Sequence, residues 1–206
     1  MIEELDLLKK DWKKNENSFQ QISELDIYKM IHKKSSSIVK WILIISVLEF
    51  LILRSLDFLI LIDDDYSKKI EIAHLYNFEV IMTVFNYIVL IIFIYLFYKN
   101  FKNINTVSST KKLMDDILKT RRTVKYYIWY NLLLVAISSI TVVFTEMKFN
   151  TILHKYFQNH PIALTLISIS IIAVLFLLFW LFYRLLYGIL LKKLYRNYNE
   201  LKKIDL

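Results

Sequence analysis

The chain reads as an all-α integral membrane protein: a four-helix bundle of two tandem parallel helical hairpins, with amphipathic cytoplasmic helices attached. Three observations carry that reading. Four nearly charge-free apolar runs, Trp41–Ile62, Val80–Tyr98, Tyr126–Thr145 and Ile162–Tyr183, are 19 to 22 residues long. About 20 residues at about 1.5 Å rise cross a hydrocarbon core of about 30 Å. Lys and Arg gather on one side of those runs, and two short strings recur at a fixed offset of 85 residues.

The apolar runs must be helices, because lipid offers no hydrogen bonds and the backbone has to satisfy its own polar groups. Barrel strands would alternate over segments of about ten residues, and no run does so. With 56% hydrophobic side chains and a single Gly and Pro, the composition is far from that of an ordinary soluble domain. There is no Cys, which excludes disulfide and thiol chemistry. The first run follows a charged segment of about 40 residues and lacks a small-residue cleavage site, so it reads as a retained span.

Orientation follows from charge. Eight Lys and Arg lie in Met1–Lys40, eight in Lys99–Lys125 and six in Arg184–Leu206, whereas the other two loops hold only Lys68, Lys69, Lys148 and Lys155. Basic loops stay inside. Both termini and the central loop are therefore expected in the cytoplasm of a bacterium, with the spans in its inner membrane. The net charge of +8 reads as a topology signal and as attraction to anionic headgroups, not as a nucleic-acid surface. The outer loop with Asp63, Asp64, Asp65, Glu71 and Glu79 lacks the Gly and distal Glu of a calcium loop and reads as a solvated turn.

The repeat pairs Val39-Lys40-Trp41 with Val124-Lys125-Tyr126, and Tyr95–Lys99 (YLFYK) with Trp180–Arg184 (WLFYR). One shared offset points to tandem copying of a hairpin; the plain alternative is that aromatic and basic residues end many spans at the interface. The expected organisation is a cytoplasmic amphipathic segment over 1–37, a transmembrane hairpin over 38–98 and a basic helical loop over 99–122. A second hairpin over 123–189 and a basic tail helix over 190–206 complete it.

In the cytoplasmic parts, Ile2, Leu5, Leu8 and Trp12 line one face of a short helix over Ile2–Lys14. Ser23 caps a second helix with Ile22 and Ile27 at staple positions, running through a Ser35-Ser36-Ser37 hinge into the first span. A third begins near Ser108–Thr110 and ends at Arg122, and the tail places Leu191, Leu194, Tyr198 and Leu201 on one side. Two readings stand level for these faces: lying flat on the inner leaflet, or docking a cytosolic partner.

Ionisable residues occur in the first span alone: Glu49, Arg54 and Asp57. A charge inside a membrane costs about 2.5–3.5 kcal/mol on insertion scales, so it needs a reason. Arg54 and Asp57 are three apart and pair on one face. Glu49 is expected nearest the midplane, with Asn86, Asn131, Ser46, Tyr87 and Tyr130 as candidate partners. The candidate polar cluster is thus Glu49, Arg54, Asp57, Asn86 and Asn131, either as interhelical glue or as a proton, ion or ligand site. The small residues Ala136, Ser138, Ser139, Ala163, Ser168, Ser170 and Ala173 are expected where spans three and four pack most closely. His32, His74, His154 and His160 show no ligand spacing. No nucleophile elbow, Gly-rich phosphate loop or paired carboxylates occur, so no enzyme, metal or cofactor is expected.

The strings Leu5–Lys14, Ile27–Trp41 and Leu190–Ile204 resemble a family of small, uncharacterised four-span inner-membrane proteins of Bacteroidota. The resemblance implies no assigned chemistry. Some of those proteins bear an automated name suggesting a carotenoid-cleaving oxygenase, an activity that needs four His on iron in a β-propeller. Four His scattered along helical loops rule that name out here. The partners expected are the bilayer, anionic headgroups, and a protein partner or a second copy. The function expected is non-enzymatic docking or regulation, with a transporter or channel subunit built around Glu49 as the alternative.

Overall fold

A computed structural model describes residues 23–61, 76–106 and 109–204 together with Lys10, and within them leaves out the side chains of 56–61, 76, 79 and 204. The described residues form five helices and no strand: α1 Glu24–Leu61, α2 Tyr76–Thr106, α3 Thr110–Phe149, α4 Thr151–Asn159 and α5 Pro161–Ile204. Four of them (α1, α2, α3 and α5) are long and apolar enough to cross a membrane. The molecule is an all-α four-helix bundle and a membrane protein. The expected helix over Ile2–Lys14 and the acidic outer loop lie outside the described residues.

Helix starts follow from local chemistry. Ser23 Oγ accepts from the Asp26 N–H at 3.2 Å and opens α1, and Ser109 Oγ accepts from the Lys112 N–H and opens α3. Asn150 ends α3 and caps α4, its side chain accepting from Ile152 N and Leu153 N. Helix α4 itself was not expected from sequence; Asn150 is the signal that announces it. Pro161 then occupies the first position of α5, where its missing N–H costs nothing.

The helix from Ser23 and the tail helix continue the first and fourth spans, as expected, and the central-loop helix, expected as a separate piece ending at Arg122, is the start of α3. α1 runs unbroken through Ser35-Ser36-Ser37, and α2 continues to Thr106, so three residues, 107–109, join α2 to α3. The expected boundaries at 37/38, 98/99, 122/123 and 189/190 all fall inside continuous helix. Without a Gly or Pro at any of them, nothing stops propagation.

Beyond the spans, the four helix ends pack on one another, neither flat nor free. Ile31, Val39, Ile104, Leu113, Ile117, Leu194 and Leu201 form one core there. A second core, towards the apolar runs, holds Ile42, Leu90, Phe97, Val124, Tyr127, Leu132, Tyr183 and Tyr187. The tail's Leu194 and Leu201 are wholly buried against the chain's own helices. Along α5 the buried positions 187, 194 and 201 fall seven apart, the spacing of helices that pack knobs into holes.

Polar pairs punctuate this end. Asn197 Nδ2 donates to Ser35 Oγ at 3.0 Å, both buried, and Asn100 Nδ2 donates to Thr123 Oγ1 at 3.2 Å. His32 donates from Nε2 to the Ile104 carbonyl at 2.7 Å. Such pairs fix register, since slipping a helix would leave buried polar groups unpaired.

Packing is most extensive between α3 and α5. Of the small residues, Ala136, Ser139 and Ser168 are half-buried, while Ser138, Ala163, Ser170 and Ala173 are exposed. Contacts between those helices include Tyr127 with Tyr183 and Tyr187, and Arg121 4.1 Å over the Tyr195 ring. Towards the loop end, α5 buries Leu164 and little else before Tyr183.

Candidate functional site

Glu49 is the most consequential polar residue in the apolar part of the bundle. It is 7% exposed, on the α1 face that meets α5. Its two oxygens each accept one tyrosine hydroxyl from α5: Tyr183 Oη donates to Oε1 at 2.5 Å and Tyr187 Oη donates to Oε2 at 2.8 Å. Tyr183 and Tyr187 are one turn apart, so both hydroxyls reach one carboxyl group. Their rings stack at 6.1 Å, and Tyr127 of α3 stands edge-on to both, at 6.4 and 5.8 Å. Phe93 and Phe97 of α2 close on Tyr127 from the other side, each at 5.4 Å. A carboxylate removed from water is costly unless hydrogen-bonded, and bonds to an ionised acceptor are the strong kind.

The partners differ from those expected. Of the candidates, Ser46 bonds back to the Leu43 carbonyl of its own helix, and Asn131 to the Tyr127 carbonyl of its own helix at 2.8 Å. Asn86 accepts from Tyr130 Oη at 3.2 Å. The Arg54 guanidinium lies 4.5 Å over the Tyr87 ring and 5.9 Å from that of Phe50. The Asp57 side chain lies outside the described residues. Among the described residues Glu49 meets the α5 tyrosines, while Arg54 lies over Tyr87 and also acts on Tyr130, the partner of Asn86.

A helical side chain points back towards its helix N-terminus, which for α1 is the end at which α5 finishes. The Glu49 carboxyl thus sits level with Tyr127 and Tyr183, near where the third apolar run starts and the fourth ends.

Tyr187 was missed, and Tyr183 entered only as part of the repeated string WLFYR that closes the fourth span. A signal existed: stepping back seven residues from Leu201 and Leu194 reaches Tyr187, and four more reaches Tyr183. The aromatics that do face outward near this level are Trp41, Tyr95, Tyr98, Tyr126, Trp129 and Trp180.

Beside the clamp lies a cavity of about 330 Å³ between α1 and α5. Glu49, Ile52, Leu53, Phe179, Phe182 and Tyr183 line it, and the surface they present to it is almost wholly apolar. Ile52 and Phe182 are exposed on the outer surface of the bundle, so the cavity opens sideways, where hydrocarbon would lie. Among the described residues no group of His, Cys, Asp and Glu is arranged to hold a metal ion.

Over residues 25–206 the sequence matches the model of a family described as Domain of unknown function (DUF8845). The chain belongs to that family. No curated protein and no solved structure matches it. The matched stretch of this DUF8845 member contains Glu49, Tyr127, Tyr183, Tyr187, α1 from Leu25 onward and all of α2 to α5.

Proposed function

We propose that the chain is a non-enzymatic, multi-pass protein of a bacterial inner membrane, with both termini and the 107–109 connection in the cytoplasm. In this reading, it docks or regulates a partner according to the state of Glu49. The asymmetry of Lys and Arg supports the orientation. The observation that carries the function is the Glu49 clamp itself. Interhelical glue needs only modest polar groups; here a buried carboxyl group, two tyrosines and an adjoining cavity converge. The helices that hold the clamp, α1 and α5, run on without interruption into the packed end, where Ser35 meets Asn197.

The basic surface at that end fits contact with anionic headgroups. Arg121, Arg122 and Lys125 of α3 line a hollow of about 160 Å³ there. At that end the inward stripes of α1, α2, α3 and α5 cover one another, so a partner would be met by their outer faces.

Recovery of a stoichiometric partner from mild detergent tests the proposal. The wild-type chain should capture it, and Glu49→Gln, at equal abundance and equal Tm, should capture markedly less. A partner-free monomer in both preparations would sink the reading. A transporter or channel subunit is the second reading, favoured by the sideways opening of the cavity at Glu49 and disfavoured by spans without the broken helices transporters use. Proteoliposome flux that disappears in Glu49→Gln would select it.

A further inference from the structure

We infer that the α3 face carrying Arg121, Arg122 and Lys125 is a binding site for one anionic glycerophospholipid. The three cations hold its phosphate, and an acyl chain lies along the apolar stripe that follows them. The inference rests on the reading that this end of the bundle meets anionic headgroups, and it gives that contact one site and one lipid class.

Charge makes the first argument. Arg121, Arg122 and Lys125 fall within about 6 Å of helix axis, and with Leu118 they line a hollow of about 160 Å³. Its walls are largely the aliphatic stems of these side chains. Arg122 and Lys125 are exposed, so their charged ends are free to reach a ligand. Among the described residues no carboxylate pairs with any of the three; the ion pair at this end joins Arg196 to Glu200 instead. Arg121 is already positioned. Its guanidinium lies 4.1 Å over the Tyr195 ring, and its Nε is buried without a hydrogen-bond partner. A guanidinium stacked by one face keeps its outer N–H edge for a phosphate, whose oxygens match that fork.

Depth makes the second argument. Lys125 immediately precedes Tyr126, where the third apolar run starts. Leu118, Arg122, Lys125, Trp129 and Leu133 follow one another three or four residues apart, on one face of α3. Trp129 and Leu133 are exposed there. A soluble anion would use the start of that stripe and leave the rest bare. A phospholipid matches all of it, with phosphate at the cations, its ester region at Trp129, the level that Trp favours, and a chain against Leu133. A zwitterionic headgroup would bring its own cation against three positive charges, so a net negative lipid is selected.

The repeat supplies a contrast. Eighty-five residues earlier, the places of Arg121, Arg122 and Trp129 are held by Ser36, Ser37 and Ile44, and Ser36 is engaged by Asn105 Oδ1. Of the three cations only Lys125 has a basic counterpart, Lys40. Orientation calls for positive charge at the start of both spans. The Arg pair and the Trp stand at one of them.

The test uses the full chain in mild detergent, titrated with dioleoylphosphatidylglycerol or dioleoylphosphatidylcholine, with bound lipid counted by native mass spectrometry. Wild type should retain one phosphatidylglycerol, and should hold phosphatidylcholine about tenfold or more weakly. Arg121→Gln/Arg122→Gln/Lys125→Gln should bring phosphatidylglycerol down to the level of phosphatidylcholine. Because losing Arg121 also loses its stack on Tyr195, Arg122→Gln/Lys125→Gln provides a second variant that keeps the stack; it should weaken binding about fivefold or more. Lys33→Gln/Lys34→Gln/Lys40→Gln removes the same charge from exposed positions of α1 and should change binding by less than about twofold. Glycerophosphoglycerol, the headgroup without its chains, should fail to displace the lipid even in large excess. Its displacing the lipid would make this a site for soluble phosphates and overturn the assignment, as would undiminished binding in the double variant. Equal losses in the two triple variants overturn the site and leave a diffuse headgroup contact standing. Equal affinity of the wild type for both lipids overturns the site and the headgroup reading together.

Discussion

Along α1 and α3 the buried positions fall 85 residues apart: Ser35 and Thr120, Val39 and Val124, Ile42 and Tyr127, Ser46 and Asn131. Along α2 and α5 the same spacing pairs inside with outside. Phe97 is 0% exposed and Phe182 46%, while Tyr98 is 52% exposed and Tyr183 2%. The strings YLFYK and WLFYR match letter for letter where it counts, yet their helices present different faces. Advancing α5 by one residue, about 100° of turn, restores the agreement: Phe97 then faces as Tyr183 does. That single step carries tyrosine hydroxyls to the α1 face of α5, and the clamp on Glu49 exists because of it. Similar strings need not occupy similar environments, and here the difference makes the site.

The sharpest way to break this comparison is truncation at the matched phenylalanines. Phe97→Ala should cost about 3–5 kcal/mol of stability, and Phe182→Ala, on the outer surface, under about 1 kcal/mol. Denaturation in mixed micelles followed by circular dichroism measures both. Equal losses would mean that the two faces are not distinct.

Removing hydroxyls comes next. Tyr183→Phe and Tyr187→Phe each strand one oxygen of the buried Glu49 carboxyl group, and each should cost about 1–3 kcal/mol. Tyr98→Phe, the sequence counterpart of Tyr183→Phe, should stay within about 0.5 kcal/mol.

Smaller effects sharpen the α1 and α3 side. Ser35→Ala strands the buried Asn197 amide and should cost about 1 kcal/mol or slightly more. Thr120→Val at the matching position should cost less, since Thr120 bonds only the Asp116 carbonyl of its own helix. The smallest effect is at Asp116. Burial there raises the carboxyl above its ordinary value, against the pull of Lys112 and Lys119, and one of its oxygens is buried without a partner. A raised folded-state value means that the folded chain holds the proton more tightly. Its contribution is then most favourable below the ordinary carboxylate value and declines as pH rises to the raised one. Asp116→Asn should flatten that slope and be neutral to slightly stabilising at pH 7, by under about 1 kcal/mol after solvent screening. Unfolding curves at several pH values check it.

The spans were legible because lipid imposes a length, and 19 to 22 apolar residues meet it without ambiguity. Ser23 and the region of Ser109 were legible as helix starts because capping is local chemistry. Glu49 stood out because a carboxylate among Leu and Ile needs compensation. What compensates it was not legible. Tyr183 and Tyr187 sit in the zone where tyrosines ordinarily meet headgroups, and composition cannot tell an aromatic at the interface from one turned inward. Rotation of a helix about its axis depends on its neighbours, so the partners of Glu49 emerge only when α5 is docked. The same reason defeated Ala163, Ser170 and Ala173: small residues permit close approach, but α5 turns them outward. The terminal helices looked like surface elements because each has one apolar stripe, and a stripe does not say whether lipid or another stripe will cover it.

Ser35 with Asn197 and Glu49 with Tyr183 are two rungs on the same antiparallel pair, fourteen residues apart on each rail. Between the rungs neither rail has a joint: the lone Gly188 lies within regular α5, with room for a methyl 3.6 Å from Arg184 Cγ. A torque applied at the upper rung therefore has nowhere to dissipate before it reaches the lower. Whatever loosens the carboxyl from its tyrosines must turn the two rails against each other as stiff shafts. Its mechanical output would surface about 21 Å away, among the charged ends.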